Sequence, residues 1–117
     1  MEKHYSFLEY KGYNVIEIKN SKFDLFEIPE MSKKIESRLI ELGYPSLIID
    51  IDKIKHIDST GFGFLMSTRN TIDRHGNELV VVCSLESILH VIEMLNMNRF
   101  LKVFKTLDDA VEYLSGK

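Results

Sequence analysis

Two kinds of hydrophobic repetition divide the chain. Residues 4–10 and 13–18 are rich in β-branched and aromatic side chains, and Lys11-Gly12 between them has the chemistry of a hairpin turn. Alternation in the second run is rough, because Tyr13, Val15, Ile16 and Ile18 break register between Val15 and Ile16. From Phe26 to Leu42 the period changes. Ile28, Met31, Ile35, Leu39 and Leu42 recur at three- and four-residue steps, which predicts one face of a helix. Pro29 suits its first turn, and Gly43-Tyr44-Pro45 stops it. The run Leu47-Ile48-Ile49-Asp50-Ile51 is short, β-branched and largely apolar, as expected of a strand covered on both faces.

A second helix is predicted from Thr60 to about Arg74, with Gly76 adopting the left-handed conformation that closes it. Residues 78–83 read as another buried strand. Ser84 is then placed to cap a third helix with the apolar stripe Leu85, Ile88, Leu89, Ile92 and Leu95. Val103-Phe104 reads as a last short strand. Thr106-Leu107-Asp108-Asp109 resembles a capping box with Asp for the usual Glu, and Leu107, Ala110, Val111 and Leu114 form the buried side of a final helix. Strands alternating with helices after residue 46 predict parallel pairing, and the opening hairpin makes the sheet mixed. The expected fold is therefore α/β, with a mixed four- to five-stranded sheet and about four flanking helices. No repeat, low-complexity tract or linker interrupts it, so residues 1–117 read as a single domain.

Composition narrows the function classes. At 44% hydrophobic, 28% charged and a net charge of −3, the chain lacks the broad basic field that nucleic acid requires. No apolar stretch approaches the roughly 20 residues of a membrane span. Met1-Glu2-Lys3-His4 begins no signal-peptide hydrophobic segment, so a cytoplasmic location is expected. The lone Cys83, within Leu79-Val80-Val81-Val82-Cys83, reads as a buried, inert thiol. Met31, Met66, Met94 and Met97 read as core filling.

The candidate chemistry lies in Ile57-Asp58-Ser59-Thr60-Gly61-Phe62-Gly63-Phe64-Leu65, where a hydroxyl-bearing turn runs into the second helical pattern. A helix start leaves backbone N–H groups unpaired and carries a partial positive charge, so Ser59 and Thr60 sit where an oxygen or a phosphate finds donors. Either hydroxyl is a candidate cap. A cap does not explain Gly61 and Gly63 in the first turns, each costing about 0.5–1 kcal/mol relative to alanine. Close approach by a partner and close packing on the preceding strand both account for them. Phe64 falls on a flank with Gly63, Ser67 and Thr71, near solvent. It is either packed on a neighbouring helix or an anchor for a partner.

An enzyme with Ser59 as nucleophile would need a base and an orienting group. His56 is the one histidine close in sequence, and the Gly-x-Ser-x-Gly pattern of a nucleophile elbow is missing. Metal binding by His56, Asp58, Asp50 and Asp52 lacks any paired Cys or helical His spacing, so solvated carboxylates at a strand end are expected. The expectation is a non-enzymatic protein with no catalytic residue, no metal and no cofactor.

Asp58-Ser59-Thr60-Gly61-Phe62-Gly63 resembles the Asp-Ser, Ser or Thr, Gly, Leu or Phe, Gly signature of the STAS domain, specifically of bacterial anti-sigma factor antagonists. Phe23-Asp24 resembles the pair before that family's first helix. Leu47-Ile48-Ile49-Asp50 and Gly76-Asn77-Glu78-Leu79-Val80-Val81-Val82 resemble its strands on either side of the signature, and Leu107-Asp108-Asp109-Ala110 also fits. The resemblance implies partner switching. The unmodified protein binds an anti-sigma factor with serine kinase activity, a sigma factor is released, and phosphorylation by that kinase abolishes binding. It implies Ser59 as phosphoacceptor, with Thr60 the runner-up, and a separate serine phosphatase of the metal-dependent class. Asp24, Asp58, Ser59, Thr60, Gly61, Gly63 and Phe64 are the expected partner-contacting or surface-shaping residues, without direct contact to nucleic acid or membrane. Some relatives of this kind act instead as scaffold, lipid-transport or ligand-responsive modules without phosphorylation. Two stretches depart from the family pattern: Asn20-Ser21-Lys22 replaces a glycine-containing turn, and Asn96 or Asn98 replaces a glycine after the third helix.

Overall fold

Lys11 and Gly12 have φ angles of 50° and 87°, the positive pair that a type I′ hairpin turn demands. They join β1 (Tyr5–Tyr10) to β2 (Tyr13–Ile18) in antiparallel register, with Tyr10 opposite Tyr13. The computed structural model describes residues 4–19, 22–23 and 28–116, with the backbone alone for residues 22 and 23. After the hairpin come β3 (Lys22–Phe23), α1 (Ile28–Leu42), β4 (Leu47–Asp50), β5 (His56–Ile57), α2 (Ser59–Arg74) and β6 (Leu79–Val82). Then follow α3 (Glu86–Met94), a 3₁₀ turn at Met97–Arg99, β7 (Lys102–Phe104) and α4 (Leu107–Ser115). The main sheet has five strands in the order β1-β2-β4-β6-β7, parallel except for the hairpin. Each parallel step crosses over a helix, and the mixed sheet with four helices is the expected one.

The broken alternation in β2 has a physical cause. Val15 and Ile16 are both fully buried because helices cover both faces of the sheet. Ile16, Ile49 and Val81 face one core, completed by α1, α2 and α3; Val15, Ile48 and Val80 face another, completed by Ala110 and Leu114 of α4. Cys83 is buried, and that burial raises its thiol pKa, which keeps the sulfur protonated. Met31 lies in the core, whereas Met94 is 66% exposed. Met94 falls in the last turn of α3, beyond the reach of the sheet, so its expected core role does not hold.

Two helices stop by the same device. The Gly43 and Tyr44 N–H groups donate back to Ile40 and Leu39, and those of Gly76 and Asn77 donate back to Asp73 and Ile72. Both glycines have positive φ, as this paired closure requires. Asn96 takes a left-handed φ of 57° after α3, the role expected of an asparagine there. Thr106 caps α4, its Oγ1 accepting from the Asp109 N–H at 3.0 Å.

Ser84 does not cap α3. Its N–H and Oγ donate to Asp52 Oδ1 at 2.6 and 3.0 Å, and the α3 N-cap is Leu85, without a side-chain bond. A carboxylate from the neighbouring loop outcompetes the local role, because a bond to a charged acceptor is the stronger one. Of the predicted stripe, Ile88 and Ile92 are buried and Leu85 and Leu89 pack half-buried against the core, whereas Leu95 is exposed.

Asp50, at the end of β4, accepts from the Asp52 N–H at 2.9 Å, which turns the chain out of the sheet. Burial raises its carboxyl pKa above the ordinary value of 3.8, partly offset by that hydrogen bond. A carboxyl whose folded pKa is raised takes up more protons folded than unfolded. Its contribution to stability therefore falls as pH rises from that ordinary value through the folded one. Asp50→Asn keeps the acceptor and loses the titration. The urea midpoint of this variant should gain on that of the unsubstituted chain as pH rises across this window, then keep a constant lead; a pH-independent difference would contradict the assignment.

Candidate functional site

The chain leaves the sheet at Asp50 and returns to helix at Ser59, and the intervening loop is pinned by apolar contacts. Ile51, Ile54 and Ile57 are all buried, and the Ile51 N–H donates to the Val82 carbonyl. Next to it, Phe23 pairs with Ile57 and Lys22 with His56 in a short parallel ladder between β3 and β5. This ladder braces the approach to α2 against the approach to α1. Two-residue strands carry no periodicity, and the sequence offered no sign of them.

Asp58, in extended conformation, is the N-cap of α2. Its Oδ1 accepts from the Gly61 N–H at 3.1 Å, and its carbonyl accepts from the Phe62 N–H at 3.1 Å. The expected cap, a hydroxyl of Ser59 or Thr60, is therefore displaced by one residue. The ionised side chain makes the charge-assisted bond and adds a favourable charge at the positive helix end. Ser59 becomes the first helical residue, exposed, and its hydroxyl makes no hydrogen bond among the described residues. Thr60 is half-buried beside it. Asp24 lies outside the described residues.

The helix register then assigns the glycines and Phe64. Gly61 is buried, in line with Phe62 and Leu65, whereas Gly63 is exposed and a Cβ added to it would meet no atom within 4 Å. Close packing on a strand thus does not explain Gly63. Phe64 is 7% exposed and belongs to the main core, so of its two expected roles the structure favours packing over anchoring. Its flank of α2 faces α1, a neighbour that the periodicity of α2 alone does not reveal.

Between those two helices runs a groove of about 270 Å³. Ile28, Ile35 and Leu39 of α1 and Phe64 of α2 supply its apolar lining. Hydroxyls surround it: Ser32 from α1, Tyr44 from the following loop, and Thr60, Ser67, Thr68 and Thr71 from α2. Glu36 is the one charged side chain lining it among the described residues. Tyr44 is held in place by stacking on His75 with ring centroids 4.5 Å apart, and its carbonyl accepts from Asn77 Nδ2. Ser32, Glu36 and Tyr44 were not singled out from sequence, because their convergence with α2 depends on how two helices pack.

Among the described residues no group of three or more His, Cys, Asp or Glu side chains is arranged to hold a metal ion. Asp50 and Asp52 instead organise the loops at the ends of β4 and β6. No described helix is long and apolar enough to cross a membrane.

The mixed sheet and flanking helices that carry this helix start are the fold of a known class. Residues 9–110 match the STAS domain model, and the chain belongs to that family. Among its relatives is a candidate anti-sigma factor antagonist of Thermotoga neapolitana, 20% identical over 103 residues, covering 88% of this chain and 91% of the relative. The crystal structure of a candidate anti-sigma factor antagonist from Thermotoga maritima superposes with a TM-score of 0.83 at 18% identity, over 97% of this chain and 96% of that one. The anti-sigma factor antagonist SpoIIAA in its unphosphorylated form superposes with a TM-score of 0.77 at 12% identity, over 97% of both chains.

Two substitutions separate cap from surface. Asp58→Ala removes the bond to Gly61 and should destabilise the fold by about 0.5–2 kcal/mol. Gly63→Ala fills open space in a helix and should stabilise it by about 0.5–1 kcal/mol. Urea denaturation of both variants checks the pair, and a destabilised Gly63→Ala would mean that the alanine methyl meets a neighbour.

Proposed function

We propose that this protein is an anti-sigma factor antagonist that works by partner switching, with Ser59 as its phosphoacceptor. The unmodified domain binds an anti-sigma factor that is also a serine kinase, and a sigma factor is thereby released. The kinase transfers the γ-phosphoryl group of ATP to Ser59 Oγ, the hydroxyl proton leaves, ADP remains, and the complex separates. A serine phosphatase of the metal-dependent class returns the hydroxyl. The domain is the kinase's substrate and catalyses nothing itself; its place of action is the cytoplasm.

The observation that carries this reading is the placement of Ser59: exposed, first in its helix, and directly after a capping carboxylate. Exposure lets a kinase reach the oxygen. The names of the relatives supply the partner class. Phosphorylation adds about −1.5 to −2 charges, and the Asp58 carboxylate is adjacent, so the modified surface combines like charge with new bulk. Thr60 is the second-choice acceptor, being half-buried. The exposed Gly63 keeps the surface low near the serine, and Asp24 is proposed to contribute.

The test uses the purified anti-sigma factor encoded by the same genome. Incubation with ATP should add a single phosphate by intact mass, located on Ser59 and lost in Ser59→Ala. Ser59→Ala should bind the anti-sigma factor constitutively and Ser59→Asp at least about tenfold more weakly, corresponding to about 1.4 kcal/mol. Equal affinity of the two variants would refute the charge switch, and absence of phosphate on the unsubstituted chain would favour a scaffold or ligand-responsive role.

A further inference from the structure

The groove between α1 and α2 starts one residue from Ser59, because Thr60 already lines it. We propose that this groove receives an aliphatic or aromatic side chain of the same partner protein, as an apolar anchor for the contact at Ser59. The inference rests on the partner contact at Ser59 and extends it along α2.

Three observations select the occupant. Ile28, Ile35, Leu39 and Phe64 give the groove an apolar floor, and its volume of about 270 Å³ suits a bulky side chain. Apart from Glu36, its rim among the described residues is made of hydroxyls, which lose water at far lower cost than charges do, and no described cation lines it that would hold an acidic side chain. Gly63 is a helix-interior glycine on the groove, and a Cβ added to it would meet nothing within 4 Å among the described residues. Alanine would favour the helix, so the vacancy has value only to something approaching from outside. Thr60, next to Ser59, lines the groove, so a partner seated over Ser59 stands beside it. Interfaces of this kind concentrate affinity in one such buried anchor.

The test fills the groove from within. Gly63→Leu and Ser67→Tyr each place bulk in it from an exposed position, so both should melt at or above the temperature of the unsubstituted chain. Each should weaken binding of the purified anti-sigma factor by about tenfold or more. In the unsubstituted chain, the methyl NMR signals of Ile28, Ile35 and Leu39 should shift when the anti-sigma factor is added. Affinity within about twofold of the unsubstituted chain for either folded variant, together with unmoved methyl signals, overturns the groove anchor. If Ser59→Asp still loses binding in that case, the switch at Ser59 stands without the groove. If the groove variants lose binding while Ser59→Asp retains it, the anchor stands and the charge switch falls.

Discussion

The bond from the Gly61 N–H to the Asp58 carboxylate decides where α2 begins, and the site follows from that starting point. A helix has one register. Once Asp58 is outside it and Ser59 is its first residue, a turn of 100° per residue sends Phe62 and Leu65 toward the sheet and Thr60, Gly63 and Ser67 toward α1. Beginning the helix one residue later would change which side chain receives the capping amide and draw the serine into the cap. The carboxylate thereby spares Ser59 from structural work. A hydroxyl engaged as an N-cap would leave the helix weaker when modified, whereas an uncommitted one can change chemically while the helix start remains closed.

That geometry needs a rigid frame, and the doubly covered sheet provides it. β4 lies at the centre, between β2 and β6, with Ile48 and Ile49 each fully buried on opposite faces. The strand cannot shift by one residue without exchanging its two faces, and both faces are committed to different helices. From its carboxyl end the chain turns at Asp50, is tied by Asp52 to Ser84 beyond β6, and sinks Ile51, Ile54 and Ile57 into the core before reaching Asp58. Sites in parallel α/β sheets occur at the carboxyl ends of strands, because the loops there are held by the sheet without being part of it. Ser59 occupies such a place.

Much of this was legible in the sequence, and what was not shares a cause. The hairpin, the stops of α1 and α2, the central strands and the Thr106 cap are set by neighbours along the chain: a Lys-Gly pair, glycines after an apolar stripe, a hydroxyl three residues before an amide. The misplaced features depend on distant groups. Ser84 looks like a cap until Asp52, on another loop, takes its hydrogen bonds. Phe64 stays open between packing and anchoring until the fold puts it in the core beside α1. The β3–β5 ladder is held by pairing between segments more than thirty residues apart, too short to leave a pattern. At the site itself, the identity of the exposed serine was legible, but the cap was assigned one residue late because aspartate, serine and threonine are all good caps, and a local motif does not rank three adjacent candidates.

The scale of the forces indicates how a phosphate on Ser59 would act. Attraction between a helix start and an anion contributes about 0.3–1 kcal/mol at an exposed position, and repulsion by the half-buried Asp58 carboxylate beside it is similarly modest under physiological screening. These opposing effects leave the fold of the free domain nearly unchanged. Contact is different. A partner that covers the serine removes water from it, and stripping water from a dianion without supplying matching donors costs several kcal/mol, which corresponds to more than a hundredfold in affinity. On the proposed mechanism the discrimination would thus arise in the complex rather than in the isolated chain. A domain built to this plan has no need of a second conformation, and a stiff sheet carrying one exposed hydroxyl is sufficient.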